Sequence, residues 1–258
     1  MSPGDKSMDD SSFRVLGVCG GIGSGKSTAC KLLVDSINSP GSKIKCYHID
    51  ADKVAHSVYA PGSQAVRDVV NEFGQEILVD AANDGSAKDP LMEIDRKKLG
   101  AIVFADNSAM AELEKIVWPH VKDKLNEQIE NFRVQWKLNS EKTETMANTV
   151  VVLEAAILLD AGWDDLLDGV WAVTVPRERA LARLVETRGL TEEEATKRLL
   201  AQEPRRGIGN LEKEVGTGIV NCVINNNGSL DDLKDTLEKS LEDPNCWKPL
   251  QRWYPYAL

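Results

Sequence analysis

The chain has 258 residues, with 31 lysines and arginines against 41 aspartates and glutamates, a formal net charge of -10. That length suits one sizeable domain with room for an inserted subdomain. The acidic balance excludes a general nucleic-acid binder, which carries a basic footprint, so an anionic substrate must meet a local basic site.

Residues 1–12, "MSPGDKSMDDSS", have no apolar core and no arginine. They read as a disordered tail rather than a leader, and the cytoplasm is the expected compartment. "FRVLGVCG" (13–20) is a short apolar run ending in glycines, a buried strand. "SGKSTACKLLVDSI" follows with Ala29, Leu32, Leu33 and Ile37 at helical spacing. "KIKCYHID" (43–50) is a second strand with a polar end, followed by a helix to Tyr59 that "APG" (60–62) stops. "SQAVRDVVNEFG" is an amphipathic helix closed by its glycine, and residues 79–95 are a polar loop. "RKKLGAIVF", "SAMAELEKIV" and "PHVKDKLNEQIENFRVQWKL" form a run of helices, and "NSEKTETMAN" is a surface connection.

In the second half, an apolar strand at 149–153 ends at Glu154, and "GVWAVTV" (169–175) is another, closed by Pro176. "TEEEATKRLLAQ" is a helix opened by a capping box of Thr191 and Glu194. "GIVNCVINN" is the last strand, and "SLDDLKDTLEKSL" the last helix, capped by Ser229. The aromatic tail "DPNCWKPLQRWYPYAL" is expected to pack on the surface. Parallel strands buried on both faces read as unbroken apolar runs, so the class is α/β: a five-stranded parallel sheet flanked by helices. One domain, 13–258, is expected, with its core in 13–59 and 145–245, a helical insertion at about 60–140 and a lid at about 177–206. The most apolar stretch, "TVVVLEAAILLDAG", is too short to span a membrane and carries Glu154.

Gly20 to Ser27 fits G-x-x-x-x-G-K-[ST] and lies between a strand and a helix, where a phosphate cradle needs it. Glycines let the backbone wrap the anion, and the helix start adds converging N–H groups. Gly21, Ile22, Gly23, Ser24, Gly25, Lys26, Ser27 and Thr28 are therefore the expected ATP contacts, with Lys26 on the β/γ phosphates and Ser27 on magnesium. No N-K-x-D, D-x-x-G or L-S-G-G-Q element accompanies the loop, which argues against a GTPase or an ABC-type ATPase. Glu154 is either a magnesium-linked acid or a cap for the segment after it.

Asp50 and Asp52 lie just beyond the second strand, where ligands gather in parallel sheets. One can take a hydroxyl proton while the other orients it, or the pair can serve a turn as caps. Arginines 177, 179, 183, 188, 198, 205 and 206 make a local basic segment, able to clamp a transferred phosphoryl group and close as a lid. The bland reading is a solvated helix face with i,i+4 pairs. The five cysteines have no metal-ligand spacing, and His48, His56 and His120 form no cluster in sequence. Free thiols are expected, with no metal held by a Cys/His set.

Taken together, "GGIGSGKST", "IDADKVAHSVYAPGSQAVRDVVNEFGQEIL", "IDRKKLGAIVFAD", "IVWPHV", "LEAAILLDAGWDD", "ARLVETRGLTEEEATKRLLAQ" and "VINNNGSL" resemble the dephospho-CoA kinase family. The resemblance runs from about Phe13 to about Leu241, and "LEAAILLDAGW" looks most like the kinase domain of eukaryotic bifunctional CoA synthases. It implies a P-loop kinase that phosphorylates the ribose 3'-hydroxyl of dephospho-CoA with ATP and magnesium. It also implies that Asp52 is the general base, that Lys26 and Ser27 hold nucleotide and metal, and that Arg183 faces the phosphates from the lid. Asn226 falls near the adenine by the same likeness, and the insertion becomes a CoA-binding subdomain. Substrate contacts are then Asp50, Asp52, Arg96, Trp118, Pro119 and Arg188.

The chain departs from the pattern at Trp118-Pro119, where many relatives have His-Pro, and at Asp160, which stands for a glutamate. At Thr187-Arg188-Gly189 relatives have R-D-G, so Arg188 either substitutes from a shifted position or that contact is lost. A nucleoside or nucleoside-monophosphate kinase would share the loop and lid but would not explain the long insertion. A non-catalytic nucleotide-binding module fits poorly with Asp52 and Arg183 beside an intact loop. A small-molecule partner is expected, without nucleic acid or membrane, in a monomer or weak homo-oligomer.

Overall fold

The computed structural model describes residues 13–42, 44–79, 92–142, 148–202 and 218–247. The expected tail 1–12, lid residues 203–206 and the aromatic end 248–258 lie outside the described residues, as does most of the polar loop before Arg96. Five strands, β1 (Phe13–Cys19), β2 (Ile44–Asp50), β3 (Asn148–Glu154), β4 (Gly169–Thr174) and β5 (Cys222–Asn225), form one parallel sheet in the order β2-β3-β1-β4-β5. The chain crosses from β1 outward to β2, returns to β3, then goes to the other side of β1. The winding therefore reverses between β1 and β3, whose ends are in register at Val18 and Glu154. Such a switch point opens a crevice at the carboxyl ends of the strands.

The inner strands β1, β3 and β4 are buried on both faces, as their apolar runs require, while edge strand β2 buries only Cys46 and Ile49. One face, with Leu16, Val18, Val150, Val152, Trp171, Val173 and Ile224, packs on Ala29, Leu33 and Ile37 of α1 (Lys26–Ile37). Leu233 and Leu237 of the last helix complete that layer. On the other face a Cβ at Gly17 would collide with Leu167, so glycine lets that side chain close on β1. Trp171 is 1% exposed, and its indole N–H donates to the Cys246 carbonyl at 2.9 Å.

The described chain forms two compact units, one of residues 50–128 and one of the remainder. The first holds α2 (Ala51–Val58), α3 (Gln64–Phe73) and α4 (Arg96–Ala105), with Val54, Val58, Val66, Val69, Ile77, Leu99 and Val103 buried. Asp50, Ser63 and Asp95 cap these helices through their side chains. The run of helices expected after Asn107 is instead one 36-residue helix, α5 (Asn107–Lys142), with Pro119 inside it. Proline costs a helix interior about 3 kcal/mol. Here Pro119 is exposed, so water can reach the carbonyl it leaves unpaired. Val117, Val121, Leu125 and Ile129, at i,i+4 spacing and all buried, carry the apolar stripe through it.

After β4 come α6 (Arg177–Arg188), α7 (Glu192–Gln202) and, beyond β5, α8 (Leu230–Glu242). Gly189 ends α6 in the left-handed conformation, φ 63. The Thr191–Glu194 box is present, with bonds of 3.0 and 3.2 Å. Ser229 caps α8 and forms a second box with Asp232.

Candidate functional site

The loop from Gly20 to Gly25 leaves β1 at the switch point and enters α1. Gly23 and Gly25 have φ of 76 and 86, which side-chain-bearing residues rarely adopt. A Cβ at Gly23 would sit 2.8 Å from the Ala180 carbonyl oxygen. Ser24 N–H donates back to the Gly21 carbonyl at 3.1 Å, and Ile22 N–H donates to Gln202 Oε1 at 2.8 Å. Lys26 opens α1 behind a glycine cap without a side chain, so the first N–H groups of the helix face the loop's hollow. Ser24 is 2% exposed, and its Oγ is one of three buried side-chain polar atoms left without a partner among the described residues. A cradle of glycines, free helix-start amides and an orphaned hydroxyl fits phosphate oxygens.

At the end of β3, Glu154 collects the loop's ammonium and hydroxyl and an imidazole from β2. Lys26 Nζ lies 2.6 Å and Ser27 Oγ 2.5 Å from its Oε1, while His48 Nε2 lies 3.0 Å from Oε2. The side chain is 6% exposed, and that of Lys26 is 11% exposed. Burial alone would raise the Glu154 carboxyl, but bonds from His48, Lys26 and Ser27, with the Lys26 charge, hold it well below the usual carboxylate range. It is therefore an ionised acid at a strand end and does not cap the next segment. Ala155 N–H, just after it, donates to the Val18 carbonyl.

Behind the loop, Arg183 of α6 donates through Nη1 to the Gly23 and Ser24 carbonyls at 3.4 and 3.2 Å. Its Nη2 reaches Asn226 O and Oδ1 at 3.1 and 3.3 Å, and Asn226 Nδ2 donates to the Ser24 carbonyl at 2.7 Å. Asn226, 5% exposed, thus spends its whole side-chain amide on the loop and on Arg183. Arg179 instead donates to the Gly228 carbonyl at 3.3 Å, Arg188 is exposed at the end of α6, and Arg205 and Arg206 lie outside the described residues.

In the 50–128 unit, Asp50 Oδ1 accepts from the Asp52 and Lys53 amides at 3.0 and 3.3 Å. Capping is therefore what the Asp50 side chain does here, and Asp52 stands exposed in the first turn of α2. Arg96 stacks 5.3 Å from the Tyr59 ring centre and bonds His56 Nδ1 at 2.7 Å. Trp118 is half-buried and Pro119 exposed, while His120 bonds Asp68 at 2.8 Å.

Two residues that sequence reasoning passed over take part in the site's bonding, His48 on Glu154 and Gln202 on the loop. His48 shares a strand face with Asp50, two residues on, and that alternation was the available signal. Nothing local marks Gln202, which sits 180 positions from its partner.

The family model described as "Dephospho-CoA kinase" matches residues 14–232. A dephospho-CoA kinase of Geobacter sulfurreducens is 35% identical over 227 residues, 88% of this chain and 96% of that protein. One from Arabidopsis thaliana is 35% identical over 229 residues, 89% and 83% of the two chains. Among solved structures, a Thermus thermophilus protein has a TM-score of 0.56 at 28% identity, covering 89% of this chain and 96% of its own. The Campylobacter jejuni dephospho-CoA kinase shares the fold, with a TM-score of 0.50 at 22% identity over 91% and 98%. No described helix is long and apolar enough to cross a membrane. With a family model spanning most of the chain and relatives matched nearly end to end, the protein belongs to the dephospho-CoA kinase family of nucleotide-using transferases.

Proposed function

We propose that the chain transfers the γ-phosphoryl group of ATP to the ribose 3'-hydroxyl of dephospho-CoA, giving coenzyme A. The observation that carries this reading is the meeting of Lys26 and Ser27 on one buried carboxylate, Glu154, beside a phosphate loop in a chain of this family. Gly21 to Thr28 bind the ATP phosphates through backbone amides, and Lys26 leaves Glu154 for the β/γ oxygens. A hydroxyl and an ionised carboxylate 2.5 Å apart are hard oxygen donors of the kind magnesium takes. Ser27 and Glu154 would hold that ion, which supplies neutralisation of phosphate charge when bound. Arg183 adds its guanidinium to the transferred group from behind the loop, and Asn226 positions both.

On the acceptor side, Asp50 fixes the start of α2, and Asp52 takes the proton of the attacking hydroxyl. The helical segment at 60–140, with Arg96, Trp118 and Pro119, receives the CoA portion. The segment at 177–206 closes as a lid, with Arg188 on its moving face. The enzyme works in the cytoplasm as a monomer or weak homo-oligomer.

Incubation with ATP, magnesium and dephospho-CoA, followed by chromatography, should give ADP and coenzyme A in equal amounts. Turnover of a nucleoside monophosphate with none of dephospho-CoA would overturn the acceptor. ATP binding without turnover of either would overturn catalysis itself.

A further inference from the structure

The fold gathers three metal-binding side chains that no spacing in the sequence connects. Donor atoms of Cys30, His48 and Glu154 all lie within 4.8 Å of one another. Cys30 stands on α1 one turn past Lys26, His48 is on β2, and Glu154 ends β3, the neighbour of β2 in the sheet. Thiolate, imidazole and carboxylate are ligands for zinc and similar borderline-soft cations, whereas magnesium prefers oxygen alone. Tetrahedral zinc, with bonds of about 2.0–2.3 Å, sets its donors roughly 3.3–3.8 Å apart. His48 and Glu154 lie 3.0 Å apart, slightly closer than that spacing, and Cys30 Sγ lies within 4.8 Å of both.

The surroundings orient the carboxylate for coordination, while the Lys26 ammonium beside it offsets part of its attraction for a cation. Glu154 is ionised, and Lys26 and Ser27 hold its Oε1, which orients Oε2 towards His48 as an outer shell would. Cys30 and Glu154 are buried, but the His48 side chain is 32% exposed, so the cluster has a mouth to solvent. Three protein ligands leave the fourth tetrahedral position for water.

We propose that Cys30 Sγ, His48 Nε2 and Glu154 Oε2 form a zinc site that shuts the phosphate loop. Binding releases the Cys30 thiol proton to solvent, and His48 coordinates as neutral imidazole. The metal takes the carboxylate that the loop needs and sets a second cation beside Lys26, so zinc and magnesium-ATP exclude one another. The inhibitory consequence rests on the kinase reading, but the coordination does not.

Cobalt(II) titrated into the reduced full chain tests the coordination. One equivalent should give a thiolate-to-cobalt charge-transfer band and intense tetrahedral d–d bands. Cys30→Ser should abolish the charge-transfer band, and His48→Ala, at the exposed mouth, should weaken affinity at least tenfold. Cys222→Ser should keep the band, although Cys222 and Cys246 sulfurs lie 2.7 Å apart and are the competing thiol pair. In the ADP assay with excess magnesium, zinc should inhibit the parent protein, a chelator should restore it, and Cys30→Ser should resist. Absence of the band in the parent, its survival in Cys30→Ser, its loss in Cys222→Ser, or equal zinc inhibition of parent and Cys30→Ser would each overturn the site. A band that follows Cys30 in a chain without turnover would uphold the site and sink the kinase reading instead.

Discussion

Replacing Glu154 by glutamine keeps the side chain's shape and removes its charge. In the absence of nucleotide, Lys26 then loses its ionic partner while its side chain is only 11% exposed, so little water replaces the bond. Hydrogen bonds to charged groups contribute about 1.5–3 kcal/mol each. The amide can still accept one or two of the three bonds, and it no longer carries a buried charge, so a net loss of about 2 kcal/mol is expected. For a chain of this size that is a fall in Tm of roughly 4–8 °C. The pH dependence sharpens the test. The folded carboxyl of Glu154 is depressed, so its stabilisation is fully present above the unfolded value of about 4.3 and fades as pH falls below that. The stability gap between parent and Glu154→Gln is measured by urea unfolding below pH 5, under the range in which an imidazole such as that of His48 ordinarily titrates. Below about 4.3 it should narrow by about 1.4 kcal/mol per pH unit. No loss of Tm, or a gap that widens in acid, would refute the network described for Lys26, Ser27 and His48.

Asp52→Asn should lower kcat by about 10²–10⁴-fold. ATP affinity, read by calorimetry, should hold within about twofold; an unchanged kcat would remove Asp52 as the base. Arg183→Ala should cut kcat/KM by about 10²-fold or more, and Arg183→Lys should fail to restore it, because an ammonium lacks the planar fork that spans two acceptors. Recovery of most activity in the lysine variant would show that only the positive charge matters there.

How much of this was legible in the sequence follows from how far apart the partners lie. The strand, loop and helix from Phe13 to Ile37 are contiguous, and glycine, lysine and serine spacing announces them. Glu154 closes an apolar run, so its place at a strand end was readable, but its bonds cross 106 to 128 positions and only the sheet order brings them together. His48 and Cys30 looked like isolated residues for the same reason. Pro119 misled in the other direction. Proline marks a helix boundary by local sterics, yet the buried stripe from Val117 to Ile129 outweighs that cost in α5. Asp50 shows the limit of reading a pair of carboxylates by type, since local cap geometry decides which of the two is spoken for.

The bracing of the loop by Arg183 and Asn226 has a consequence for synthesis of the chain. The sequence of the phosphate loop leaves the ribosome early, but the amide that holds the Ser24 carbonyl belongs to a residue 202 positions later. At roughly 5–20 residues per second that is a wait of about 10–40 s. During most of it α1 can form while the backbone at Gly23 and Ser24 has neither anchor, and Arg183 arrives 43 positions before Asn226. A nascent chain, or one cut short before Asn226, therefore carries the nucleotide motif without the side chain that holds the Ser24 carbonyl, and should gain less stability from ATP than the whole chain.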